Sequence, residues 1–259
     1  MFDNANTSSI LSISDIEQTR ELGYLQNDEA LKYLKEKQDF WKNLAKISAG
    51  VASGGAVISN PIVGLGGAIG SLKAIDESLT IDRLVSVTEM LLNTFRDEGI
   101  VLTPRVKTNE GMIDLFVKTS DGRNFAFLLR SKGTARVKWR EDRQDFCIYS
   151  QQKNGRTRIE KWSELVRVGR QLNQATLLLK KEKDPIKGQN GGELRKPVTK
   201  AIVLTGKTIV DPNNDPALFL DFGLLKQESK TVIRVLIGTA IHLVSHENLV
   251  NFLRQPESN

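Results

Sequence analysis

The chain has 259 residues, with 37 Lys and Arg against 31 Asp and Glu, a formal charge of +6 and a pI near 9.3. That length permits one large domain or a domain with an appendage, and the mild basicity suits an anionic partner without naming one. A single cysteine, Cys147, excludes an intramolecular disulfide and a Cys-rich zinc site, and suits a reducing, cytoplasmic setting.

Ser14-Asp15-Ile16-Glu17 reads as a capping box that opens a short helix. Asn27 then precedes an amphipathic helix over Asp28 to Ala45, with Leu31, Leu34, Phe40, Trp41 and Leu44 on one face and Lys and Glu on the other. This is a helix for packing or for a partner. Ile47 to Leu72 carries no charge, is rich in Gly, Ala and Ser, and is interrupted by Asn60-Pro61. Its length just permits a membrane span, and Gly66 and Gly70 have the spacing that lets helices approach closely in lipid. The Asn-Pro break divides it into halves too short to cross, so a helical hairpin packed on the protein or on a partner is the preferred reading and membrane association the lesser one. The acidic, polar stretch before it argues against a cleavable signal peptide.

A helix is expected from about Thr80 to Glu98, then three strands between Gly99 and Lys132. Met112 to Lys118 is an apolar run broken only by Asp114, Phe125 to Leu129 is a second, and Thr119-Ser120-Asp121-Gly122 between them is a strong hairpin signal. A carboxylate inside such a strand is costly to desolvate unless it is paired, hydrogen-bonded or bound to a metal, so Asp114 needs a partner. Lys132, just past the neighbouring strand, is the expected one.

The basic residues cluster next, in Arg130, Arg136, Lys138 and Arg140 with Trp139 among them, a grouping suited to phosphates and a stacked base. A second cluster, Gln152 to Arg158, reads as a polar hairpin loop. Leu165, Val168, Leu172, Ala175 and Leu179 recur at helical spacing in a helix from about Lys161 to Lys181, and are read as core. Lys180 to Pro197 is a polar loop. A strand follows over Lys200 to Val210, then a loop over Asp211 to Pro216, an apolar run Ala217 to Leu225, a strand Thr231 to Ile237 and a last helix near His246 to Leu253. Alternating strands and helices argue for an α/β domain.

Two decoys fall away. Ala201 to Thr208 satisfies a loose phosphate-loop pattern, but the residues before Gly206 are strand formers and Ile209-Val210-Asp211-Pro212 cannot open the helix that the mechanism requires. His242 and His246 sit at a strand-to-helix junction and lack the further ligands of a zinc site, so packing or capping explains them better. There is no Gly-x-Ser-x-Gly elbow for acyl transfer and no internal repeat.

Helix, three-strand meander, helix and strand, with Gly111-Met112-Ile113-Asp114 on the second strand and Lys132 after the third, resembles the PD-(D/E)XK nuclease superfamily, its nuclease-related and RecB-type branches above all. The resemblance covers residues 76–255 and implies a restriction-endonuclease-like mixed sheet flanked by helices, preceded by a helical region over 1–75. It implies metal-dependent cleavage of DNA with Mg²⁺ or Mn²⁺, Asp114 and Ser131 contributing to the metal site and Lys132 stabilising the hydroxide or the phosphorane charge. The family places Glu, Asp or Gln two residues before the lysine, and this chain has Arg130, which stays protonated and cannot ligate a metal. Two outcomes follow. Another element supplies the missing carboxylate, Glu89 first and Glu110 second, or the site is catalytically inactive and Arg130 grips a phosphate. The second outcome gives a DNA-binding or assembly module. The N-terminal helical region is then the place for a second copy or a protein partner.

Overall fold

The computed structural model describes residues 25–57, 61–108, 111–140, 145–152, 154–179, 197–211, 224–227, 230–235 and 239–255. The expected helix at Ser14, the loop 180–196 and most of the apolar run 217–225 lie outside them. Two long helices, α1 (Asn27–Val57) and α2 (Pro61–Phe95), are followed by a single 3-10 turn, Arg96–Glu98. The strands β1 (Val101–Thr108), β2 (Gly111–Lys118), β3 (Asn124–Arg130), β4 (Ala135–Arg140), β5 (Asp145–Gln151) and β6 (Thr157–Lys161) come next. Helix α3 (Glu164–Leu179) precedes β7 (Val198–Leu204) and β8 (Thr208–Val210), then β9 (Leu224–Gln227), β10 (Lys230–Val235), β11 (Thr239–Ser245) and α4 (Leu249–Arg254). The fold is mixed α/β, built on two mixed sheets.

The larger sheet has the order β1-β2-β3-β7-β11-β10-β9, and the smaller β6-β5-β4-β8. β1, β2 and β3 form an antiparallel meander, and β3 then pairs in parallel with β7 after the crossover through α3. The β2-β3 turn forms as its residues predict: Gly122, at φ 81, donates to the Thr119 carbonyl, and Thr119 donates its own N–H to the Arg123 carbonyl at 3.0 Å. The central strands are buried on both faces, which is why β3 and the second half of β7, Ala201 to Leu204, read as continuous apolar runs.

One face of the large sheet packs under helices. Leu34 and Trp41 of α1, with Ile81, Leu84, Leu91 and Leu92 of α2, close over Leu115, Val117, Phe125, Phe127 and Val203. The other face is covered by α3, whose stripe Leu165, Val168, Leu172, Ala175 and Leu179 is fully buried as the periodicity predicts, and by the inward face of the small sheet through Ala135, Val137, Phe146 and Ile148. At about 1.5–3 kcal/mol for each large apolar side chain taken from water, this stripe is what holds α3 on the sheet.

Several expectations change. The helix expected from Thr80 begins at Pro61, so the boundary drawn between residues 75 and 76 falls inside one helix; the described parts of the uncharged segment are helical, the end of α1 and the start of α2. No helix among the described residues is long and apolar enough to cross a membrane. The Asn27 amide bridges to β1, donating to the Ile100 carbonyl at 3.0 Å and accepting the Leu102 N–H at 2.8 Å. The strand expected over Lys200 to Val210 is two strands in two sheets, because Gly206 at φ 68 turns the chain between them, and a strand rather than a helix follows the phosphate-loop decoy. β11, parallel to β7, lies beyond Ile237, where the last strand was expected to end, and runs up to the strand-to-helix junction at His246.

Candidate functional site

Asp114 lies where two strand ladders give way together. In β1 and β2, Pro104 faces Leu115 and Val106 faces Ile113, while Arg105, which stands between them opposite Asp114, has φ 54. A left-handed non-glycine residue costs about 1–3 kcal/mol and persists only where its surroundings dictate it. Its effect is visible in the packing: Leu102 and Leu115 face the helical layer, yet Val106 and Ile113, which strand alternation would put with them, pack on the α3 side. Both strands turn over at Arg105 and Asp114.

On its other side β2 parts from β3. The ladder runs from Lys118↔Asn124 to Leu115↔Phe127, and beyond that the Asp114 carboxylate takes the Leu129 N–H on Oδ2 at 2.7 Å. Arg130 Nη1 donates to the same oxygen at 3.0 Å and to the Leu129 carbonyl at 2.7 Å. The carboxylate is buried, its side chain 12% exposed against 26% for Arg130. Burial pushes the Asp114 carboxyl above its ordinary value. The Arg130 guanidinium, the Leu129 N–H and the charge of Arg105 each pull it back. Arg105, itself buried, extends the other way, with Nη1 3.2 Å from Glu77 Oε2 on α2. Asp114 is therefore bonded to one guanidinium, that of Arg130, while the second, Arg105, is turned to Glu77 and acts on the carboxylate only through its charge.

The remaining expected partners go elsewhere. The cation that meets Asp114 is Arg130, not Lys132, whose Nζ is 3.9 Å from Glu164 Oε2 and 5.5 Å from the centre of the Trp162 ring at the start of α3. The cause is the segment after β3, which is tied to the β7-β8 turn. Thr205 donates its N–H to the Arg130 carbonyl at 2.8 Å, and the buried Thr208 hydroxyl accepts the Lys132 N–H at 2.8 Å while donating to the Gly133 carbonyl at 2.9 Å. Ser131 follows the same turn, its Oγ 3.4 Å from Thr208 Oγ1. Glu89 points into the seam between the two long helices, where its carboxylate pairs with Lys35 of α1 at 2.8 Å and is half exposed. It supplies no second carboxylate to Asp114. Glu110 lies outside the described residues. The carboxylate that does approach Lys132, Glu164, escaped the sequence reading, since no local pattern links the end of β3 to a helix that opens over thirty residues later.

The fit to a divalent cation follows from this donor set. Mg²⁺ asks for oxygen ligands in near-octahedral geometry, commonly through one or two carboxylates. Here one carboxylate is at hand, with an oxygen already taken by a guanidinium and a backbone N–H. Among the described residues no group of three or more His, Cys, Asp and Glu is placed to hold a metal. The described residues do not fit a resident Mg²⁺ or Mn²⁺.

Arg136, Lys138 and Arg140 alternate along β4, with Ala135 and Val137 turned inward between them, so the three cations share the outer face of the small sheet. Trp139 is paired through its backbone with Phe146 on β5. No family model matches this chain, and neither a curated protein nor a solved structure matches it.

Proposed function

We propose that this chain binds nucleic acid through a restriction-endonuclease-like domain that does not cut it. The observation that carries the reading is the contact of Arg130 Nη1 with Asp114 Oδ2 at 3.0 Å, which puts a permanent cation against the one carboxylate of the centre. A hydrolytic metal site needs charge-rich oxygen ligands and a general stabiliser beside them. In this chain the lysine that would stabilise the phosphorane is drawn to Glu164, and the expected second carboxylate is drawn to Lys35. The order of elements supports the nuclease-like architecture: α2, the β1-β2-β3 meander, α3, and β7 returning parallel to β3. Binding is supported by the net charge of +6 and by the basic outer face of the small sheet.

The test is incubation of the full chain with supercoiled and single-stranded DNA in Mg²⁺ and in Mn²⁺, scored for retardation and for strand scission, beside Asp114→Ala. Retardation without scission in either metal is expected. Metal-dependent nicking that disappears in Asp114→Ala would return the chain to the nucleases, and the absence of any retardation would remove nucleic acid from the reading.

A further inference from the structure

Ladder registers arrange the outer face of the small sheet in rows. Arg136 is directly opposite Tyr149, Tyr149 opposite Ile159, and Arg136 beside Ile209 of β8, so one row reads Ile209, Arg136, Tyr149, Ile159 across four strands. The next row is Lys138, Cys147 and Lys161. These rows lie on the face opposite Ala135, Val137, Phe146 and Ile148, which go to the core; of the rows, Cys147 alone among those named is fully buried. Over the first row lies a cleft of about 500 Å³ whose walls include Arg136, Tyr149, Gln151, Thr157, Lys207 and Asp211.

Many surface cations are paired within the chain, as in Lys35 with Glu89, Lys42 with Asp82, Arg96 with Asp28 and Arg254 with Glu98. Others, among them Lys32, Lys107 and Arg170, make no ion pair among the described residues, but those on the small sheet stand around a cleft. Arg136, Lys138 and Lys207 make no ion pair among the described residues. The side chain of Tyr149, half-buried at the wall of the cleft, makes no hydrogen bond or ring contact among the described residues. Unpaired cations flanking an aromatic ring whose own edge and hydroxyl are unspent are the groups that hold a phosphodiester strand and stack its bases.

We infer that this face binds an unpaired strand of nucleic acid, one base seated in the cleft against Tyr149, with Arg136 and Lys207 on its flanking phosphates and Lys138 on the next phosphate along β4. This rests on the nucleic-acid reading above and gives it a surface and a strand state. Three features decide for a single strand. The cleft is concave and admits one nucleotide, not the rim of a duplex. Its aromatic wall offers a stacking face that a paired, stacked base cannot use. Alternate residues along β4 are about 7 Å apart, so Arg136 and Lys138 form a track that continues beyond the cleft and favours a strand over a free nucleotide.

The experiment is fluorescence anisotropy of the full chain with labelled single-stranded and duplex oligonucleotides of equal length and with a mononucleotide, in chelator, for the native protein and for Tyr149→Ala, Tyr149→Phe, Arg136→Glu and Lys207→Glu. The single strand is expected to bind more tightly than the duplex, and the mononucleotide far more weakly than either. Tyr149→Ala should weaken the single strand about tenfold while Tyr149→Phe, which keeps the ring, retains it. Each charge reversal should lower the dependence of binding on salt by about one counterion or more. Single-strand binding that all four variants leave unchanged overturns this surface while the nucleic-acid reading stands. A duplex preference that Tyr149→Ala leaves unchanged does the same. Failure of the native protein to bind any of the three probes overturns both.

Discussion

Replacing Arg130 by Met keeps the stem of the side chain and removes the guanidinium that faces Asp114 at 3.0 Å. Removing one partner of a buried pair costs about 3–5 kcal/mol, because it strands a charge away from water. Arg130 is 26% exposed and the Leu129 N–H remains on the carboxylate, so a loss at or below the bottom of that range, about 2–3 kcal/mol at pH 7, is expected. The pH dependence carries the sharper test. Burial already holds the Asp114 carboxyl above its ordinary value, so the folded chain binds this proton before the unfolded chain does. At this residue stability therefore rises as pH falls from the raised folded value toward the ordinary one, the unfolded chain binding fewer protons in that window. Without Arg130 the folded value moves higher still, and a protonated carboxyl needs no guanidinium. The deficit of Arg130→Met relative to the native protein should be greatest at neutral pH and shrink as pH falls from the variant's folded value to the native one. Urea unfolding across this range, with Asp114→Asn and the double variant closing a cycle, measures it. A deficit below about 0.5 kcal/mol at pH 7, within the range of ordinary surface substitutions and unchanged on acidification, would falsify the pairing.

Arg130→Glu puts a second carboxylate beside Asp114 and should create Mn²⁺ or Mg²⁺ affinity, read as heat of binding and as a metal-dependent rise in Tm. If neither metal raises Tm, the strand opening at Asp114 is not shaped for a cation. Burial holds the His246 imidazole below its ordinary value, with Glu247 partly opposing, so the stability it contributes is present above about pH 6.5 and is lost as pH falls through its lower folded value. His246→Gln should flatten that part of the curve, and a native curve already flat there refutes the assignment. Thr208→Val removes the hydroxyl that joins Lys132 and Gly133 to β8 and should cost about 2 kcal/mol in urea, with faster amide exchange at Lys132; unchanged exchange would show that the turn is held by other contacts. Asn173→Leu withdraws the acceptor at 2.9 Å from the buried Lys200 ammonium and should cost at least as much, a loss that a denaturation curve matching the native one would contradict.

The elements legible in the sequence are those whose cause is local. The β2-β3 hairpin follows from two apolar runs around Asp121-Gly122, and α3 from five apolar residues at helical spacing, because turn dihedrals and helical periodicity are written in neighbouring residues. The need of Asp114 for a partner was legible too, since a carboxylate in a buried strand cannot stand alone. Which cation answers it was not. Arg130 and Lys132 are two residues apart, and the choice is made by Thr205 and Thr208, some 75 residues away, whose bonds turn the chain after β3 and carry Lys132 toward Glu164. In the same way, Glu89 on α2 was a carboxylate of the right type, but only the packing of α1 beside it supplied Lys35 and turned it from the centre. The second sheet, with its row of Arg136 and Tyr149, exists only because β4 leaves the first sheet and pairs with β5 and the short β8. Local rules name the groups that need partners; the long-range strand pairings and helix contacts determine the partners they receive.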